Sequence, residues 1–190
     1  MGLTFIKAAT AAGSPATITF ADGTGGVVFD NTYNEYQFYF VTLHPGSDNV
    51  NLEFQVNDTG DPSGDFDGSP IQSTFFAGAY HNEGDFGGNA SVYETGFDLA
   101  NASDSYQHLA SYVGYENDES CSGVLTLYDP SSNTYVKHFT SRINSLTNNG
   151  YTRQNNAAGY INDVTPIDEI NFRFSSGSID SGTIYMYGVS

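Results

Sequence analysis

The sequence predicts an all-β protein, an antiparallel β-sandwich of jelly-roll type with about ten strands. Short apolar alternations of period two recur along the chain, and each closes in a cluster of Gly, Pro, Asn, Asp or Ser. No window of helical length keeps a helical period.

The first candidate strands are Leu3–Ile6 and Ala16–Phe20. Tyr36, Phe38 and Phe40 then interleave with Gln37, Tyr39 and Val41, a run apolar on both faces, as in a central strand covered from two sides. Leu52, Phe54 and Val56 alternate with Asn51, Glu53 and Gln55, giving one apolar and one wet face. Ile71–Tyr80 and Ser105–Val113 follow. Within Asp98–Val113, Leu99, Ala102, Tyr106, Leu109 and Val113 fall at near-helical spacing, so a short helix competes with a strand there. Leu125 and Leu127, between Val124 and Tyr128, mark the next strand, followed by Tyr135–Thr140 and Ala157–Ile161. Ile170, Phe172 and Phe174 alternate with Asn171, Arg173 and Ser175, and Ile184 and Met186 with Thr183, Tyr185 and Tyr187. Turn chemistry separates the runs at 21–26, 44–49, 58–70, 129–133, 148–150 and 175–182. The domain expected is a single sandwich over residues 15–190, preceded by an Ala-rich N-terminal arm of residues 1–14 that ends at Gly13-Ser14-Pro15.

Composition narrows the partners. The 190 residues carry 5 Lys and Arg against 22 Asp and Glu, a formal charge of −17. No face can assemble the cationic stripe that neutralises phosphates, so nucleic acid and anionic membrane surfaces are excluded as main partners. The opening Met1–Thr10 lacks the apolar run of a signal peptide, and Ile6 stands where a myristoylation motif requires Ser or Thr. Without a secretory signal, glycosylation triplets such as Asn101-Ala102-Ser103 have no weight. Cys121 is the sole cysteine, which removes any internal disulfide. The 14 Phe and 14 Tyr argue against disorder, and stability must come from packing.

Chemistry-bearing patterns are few. The stretch 57–70 carries Asp58, Asp61, Asp65 and Asp67 on a Gly-containing loop, and hard oxygen donors of this kind suit Ca²⁺. Ser63, Asp65, Asp67 and Gly68 imitate half of an EF-hand loop, but Thr74 replaces its bidentate Glu and no flanking helices are evident. Asp61, Asp65 and Asp67 therefore stand as candidates for a different Ca²⁺ site, against the plainer reading of a solvated acidic loop; no metal or cofactor is assigned. The acidic cluster Glu116–Glu119 repeats this pattern on a smaller scale. His44, His81, His108 and His138 lack metal-site spacing, and only His81 with Glu83 and Asp85 forms a local group. No nucleophile elbow is present, and the acidic surroundings of Cys121 raise its thiol pKa. Paired carboxylates for glycoside hydrolysis are not excluded by sequence, although Trp, the usual sugar platform, is absent. The reading adopted is non-enzymatic. Tyr185 and Tyr187, on the outward side of the last strand, suit either cross-strand pairing or an interaction face.

Within Ile167–Gly188, the residues Ser175, Ser176, Gly177, Ile179, Ser181, Gly182, Thr183, Ile184, Tyr187 and Gly188 spell SSG-x-I-x-SGTI-x-x-YG, with Met186 in a place usually held by Leu. This pattern resembles the C-terminal hairpin of small structural proteins of tailed bacteriophages, especially marine and cyanobacterial ones. Phe29–Val56 and the turn Asp129-Pro130-Ser131-Ser132 resemble the N-terminal half and mid-chain turn of the same group, so the resemblance covers most of residues 25–190. It implies a virion location, after synthesis in the host cytoplasm, and carries over no functional residue. Gly177 and Gly182 suit a turn joining two antiparallel strands through their access to positive φ.

The function expected is a capsid decoration or cement protein on the outside of the head, with the major capsid protein as partner and a self-associating ring such as a trimer as its form. Leu3, Phe5 and Ile6 of the arm, with Tyr185 and Tyr187, are the expected interface residues. The alternative is a tail or tail-fibre component that contacts tail proteins or binds a host surface glycan.

Overall fold

The computed structural model describes residues 2–66, 68–81 and 91–190, with His81 described through its backbone alone. Among these residues there are thirteen strands and no helix. In chain order they are β1 (Leu3–Thr10), β2 (Thr17–Ala21), β3 (Glu35–Pro45), β4 (Val50–Asp58), β5 (Ile71–His81), β6 (Val92–Tyr93) and β7 (Ala100–Ala102). They continue as β8 (Gln107–Val113), β9 (Cys121–Tyr128), β10 (Lys137–Leu146), β11 (Tyr151–Ile161), β12 (Ile167–Phe174) and β13 (Ile179–Val189).

The strands form two antiparallel sheets packed face to face as a β-sandwich. The larger, nine-stranded sheet runs β1-β13-β3-β9-β10-β11-β5-β6, with β7 also paired to β5, and the four-stranded sheet runs β2-β12-β4-β8. Period-two alternation explains the core between them: Tyr36, Phe38 and Phe40 of β3 and Ile184 and Met186 of β13 point inward from the large sheet, and Leu52, Phe54 and Val56 of β4 and Ile170, Phe172 and Phe174 of β12 from the small one. Phe172 is the hub, with ring centroids 5.3 Å from Phe38 and 5.2 Å from Phe40 across the gap, and 6.2 Å from Phe20 within its own sheet. Phe54 meets Phe139 of the large sheet edge to face at 5.0 Å.

Several sequence expectations change. Asp98–Val113 holds β7 and β8 and no helix. Leu109, Ala110 and Val113 are all buried on β8, where two register shifts against β4 interrupt simple alternation and leave a spacing that imitates a helix. The segment expected as an N-terminal arm contains β1, laid down as an edge strand on β13 from Leu3↔Val189 to Thr10↔Thr183, because the alternation of its side chains and its main-chain groups find partners there. The C-terminal pattern is not a hairpin. β12 pairs with β2 and β4 while β13 pairs with β1 and β3, so the turn after Phe174 carries the chain from one sheet to the other. Gly177 and Gly182 do hold positive φ, 75° and 107°. At Gly182 a Cβ would lie 2.5 Å from the Thr42 carbonyl oxygen, so the close approach of β13 to β3 requires glycine.

The polar side of β4 is not wet. Glu53, Gln55 and Asn57 are buried because loops cover the outer face of the small sheet. Gln55 Nε2 donates to the Ser103 and Ser105 carbonyls at 3.1 and 2.9 Å, and Asn57 Nδ2 donates to the Pro62 carbonyl at 3.2 Å. Lys137, fully buried at the start of β10, donates from Nζ to the Asp163 and Thr165 carbonyls and pins the loop before β12.

Phe172→Ala is expected to cost about 3–5 kcal/mol of stability, because the cavity opens between both sheets. Leu3→Ala, on the exposed edge, is expected to stay within about 0.5 kcal/mol of the wild type. Urea unfolding of the two variants checks both values.

Candidate interaction surface

The same alternation that fills the core sets what the large sheet shows on its other side. Opposite the buried Phe38 and Phe40, β3 presents Tyr39 and Val41, and opposite Ile184 and Met186, β13 presents Tyr185 and Tyr187. The register places Tyr39 beside Tyr185, Gln37 beside Tyr187, and Tyr187 beside Phe5. The run 36–41, apolar on both faces in the sequence, is thus covered on one side only, and Val41 stays 43% exposed. No strand layer lies over this face among the described residues.

Tyr187 joins the cluster together, edge to face with Phe5 at 5.6 Å and with Tyr39 at 5.5 Å. Leu3, Tyr39, Val41, Tyr185 and Tyr187 line a groove of about 380 Å³ whose walls carry no charged side chain. Leu3 and Phe5 remain 55% and 56% exposed, far more than their apolar character favours in an isolated surface. Four of the expected interface residues, Leu3, Phe5, Tyr185 and Tyr187, therefore meet. Ile6 does not join them: as the neighbour of outward-facing Phe5 it points to the other side by simple alternation and packs against the core, and the bulge between Phe5 and Lys7 then sets Lys7 opposite the inward-facing Met186. Tyr39 and Val41 were missed as members because their run read as covered on both sides.

Within the described part of the acidic loop, Asp58 and, from β12, Glu169 hold the turns by hydrogen bonds. Asp58 accepts hydrogen bonds from the Gly60 amide at 2.8 Å and from Ser69 Oγ at 3.1 Å, while Glu169 accepts from Ser63 Oγ and, at 3.0 Å, from the Gly64 amide. Partial desolvation, and then the neighbouring carboxylates of Asp58, Asp65 and Asp163, push the Asp61 carboxyl above its ordinary value. Asp67 lies outside the described residues, as do Glu83 and Asp85 of the His81 group. Among the described residues no three His, Cys, Asp or Glu side chains converge as a metal site. Glu119 turns inward and accepts from the Glu116 amide at 2.9 Å, closing the turn at 116–119. Cys121 is buried, and burial pushes its thiol up to about 12, so it offers no thiolate.

One constellation has no sequence signature, since its members are far apart in the chain. Glu53 of β4, buried, pairs with Arg173 of β12 at 3.1 Å, and the Arg173 guanidinium lies 3.5 Å from the centre of the Tyr106 ring. His108 Nε2 sits 3.4 Å from the other Glu53 oxygen. Burial, with the nearby Arg173 charge, draws His108 from 6.5 down to about 4, so at neutral pH a neutral imidazole stands beside the carboxylate. Burial raises Glu53, and Arg173 opposes that rise. None of these groups lines the aromatic groove. They clamp the chain around Tyr106 onto the small sheet.

Comparison with protein-family models, with curated proteins and with solved structures finds no match.

A folded-state His pKa below the unfolded one means that the unfolded chain binds the extra proton between 6.5 and about 4. This contribution to stability is whole above that window and is lost as pH falls through it. His108→Gln is therefore expected to flatten the loss of unfolding free energy between about pH 7 and about pH 4.5 relative to the wild type, as read by urea titration.

Proposed function

We propose that this is a non-enzymatic structural protein of a tailed-bacteriophage virion, a decoration or cement protein seated on the outside of the head lattice. The observation that carries the proposal is the uncharged aromatic groove between β1, β13 and β3, beside an edge strand whose outer backbone has no strand neighbour among the described residues. Rigid phenol and phenyl rings bury area at small entropic cost, and an open strand edge can add main-chain hydrogen bonds to a partner. The resemblance of the C-terminal pattern to phage structural proteins supplies the virion setting.

The strand order supports the jelly-roll form of the sandwich: β2-β12-β4-β8 faces β3-β9 and β5-β6, with the β10-β11 hairpin inserted between β9 and β5. The groove serves the coat contact, self-association into a ring such as a trimer, or both, since a single apolar strip on an edge is suited to a symmetric closed assembly. The formal charge of −17 opposes crowding of copies at low ionic strength, so assembly is expected to strengthen as salt shortens the Debye length below about 10 Å.

Immunogold labelling of intact particles is expected to mark the head surface. Label confined to the tail would place the chain among tail proteins, and particles free of label would overturn the reading. Leu3→Ser combined with Tyr187→Ser, both outside the core, is expected to abolish particle binding and self-association in sedimentation while the far-ultraviolet spectrum stays that of the wild type.

A further inference from the structure

At one end of the sandwich the core runs out. The inward positions of β5 shrink from Phe75 to Ala77 to Ala79, and the paired positions of β11 pass from Ala157 and Asn155 to Arg153. With only a methyl group at Ala79, the described residues leave the space beside Arg153 unfilled, and a cleft of about 470 Å³ opens there. This lies within the roughly 300–1,000 Å³ typical of small-molecule sites. The β10–β11 turn contributes Asn148 and Asn149 to its wall, and β8 contributes Tyr112.

Three features make this more than a packing fault. The Asn148 Oδ1 atom is closed off from water and has no hydrogen-bond partner among the described residues, an expense that rotation of the carboxamide toward the cleft and a ligand hydroxyl there would remove. Tyr112 holds a left-handed backbone, φ 57°, at a bulge where Ser111 and Tyr112 together oppose Asn51, and Asn51 Oδ1 accepts its amide hydrogen at 3.0 Å. Strained residues and bulges of this kind aim side chains at functional sites. Arg153 is fixed in advance: Nε donates to Ser111 Oγ at 2.7 Å, Nη2 pairs with the Glu94 carboxylate, and the guanidinium carbon lies 5.1 Å from the centre of the Tyr112 ring. Behind it Ser111 Oγ donates at 2.9 Å to the fully buried Asn155.

The chemistry of the cleft selects its occupant. Carboxamides offer donors and an acceptor in one plane, matching adjacent hydroxyl groups, and a tyrosine ring offers an apolar face for carbon-bound hydrogens. Glu94 balances the Arg153 charge, and the −17 of the whole chain disfavours an anion. We infer that the cleft between Ala79, Arg153, Tyr112 and the Asn148-Asn149 turn binds a neutral saccharide residue, with the Asn148 amide bonded to its hydroxyls and Tyr112 as its platform. The inference rests on this cleft alone and holds wherever the protein sits in a particle.

The test uses the full chain in two arms. Saturation-transfer NMR with free glucose, galactose, mannose and N-acetylglucosamine reads small sugars, and an array of neutral and sialylated glycans reads surface chains. Saturation of ring protons in the first arm, or binding to neutral and not sialylated glycans in the second, is expected, and the responding arm identifies the source. Asn148→Ala is expected to weaken binding about tenfold. Tyr112→Asn keeps a residue tolerant of the left-handed backbone, gives up the ring contacts with Arg153 and Phe97, and is expected to abolish binding while the far-ultraviolet spectrum stays that of the wild type. Silence in both arms overturns the inference, as does preference for sialylated glycans or binding unaltered by the two substitutions.

Discussion

The contact of Phe172 with Phe38 and Phe40 joins the two sheets, and the rest of the molecule is arranged around it. A strand pair by itself is marginal in water, so these sheets persist because each buries a row of rings and branched chains against the other. That burial also fixes register, since a slip of a single residue would turn Phe38 and Phe40 outward and Tyr39 and Val41 inward. The exposed aromatic groove is thus the reverse side of the core, set by the same strands and the same parity.

The two outer faces are treated differently. Over the small sheet, the loop at 58–70 and the segment before β8 lie on Glu53, Gln55 and Asn57 and supply carbonyl acceptors to the two amides. Polar groups removed from water need such partners, and the Glu53 carboxylate finds its own in Arg173. The large sheet receives no comparable cover among the described residues, and its β1, β13 and β3 corner presents rings where the small sheet presents hydrogen-bonded loops. This corner thus combines exposed rings with a lack of charged side chains on a chain whose formal charge is −17.

The cleft at the sandwich end follows from the same economy. Inward side chains fill the space between the sheets only as far as Ala77, and beyond it the polar ladder Asn155, Ser111, Arg153 and Glu94 replaces apolar packing. Groove and cleft lie in different places, one on an outer face and the other between the sheets, so a change in one leaves the geometry of the other intact.

The sandwich class was legible in the alternations of 36–41, 51–56 and 170–175, because period two is local and each residue declares its side. The outward pair Tyr185 and Tyr187 was legible for the same reason, and so were Leu3 and Phe5. Whatever depends on which strands become neighbours was not. The bulge that sets Lys7 opposite Met186, the crossing of the 175–178 turn between sheets, and the loops that bury Glu53 and Gln55 arise from long-range pairing. The meeting of Tyr39 with Tyr187, of Glu53 with Arg173, and of Tyr112 with Arg153 joins residues 148, 120 and 41 positions apart along the chain. Alternation tells which way a side chain points; only the closed sandwich decides what it points at.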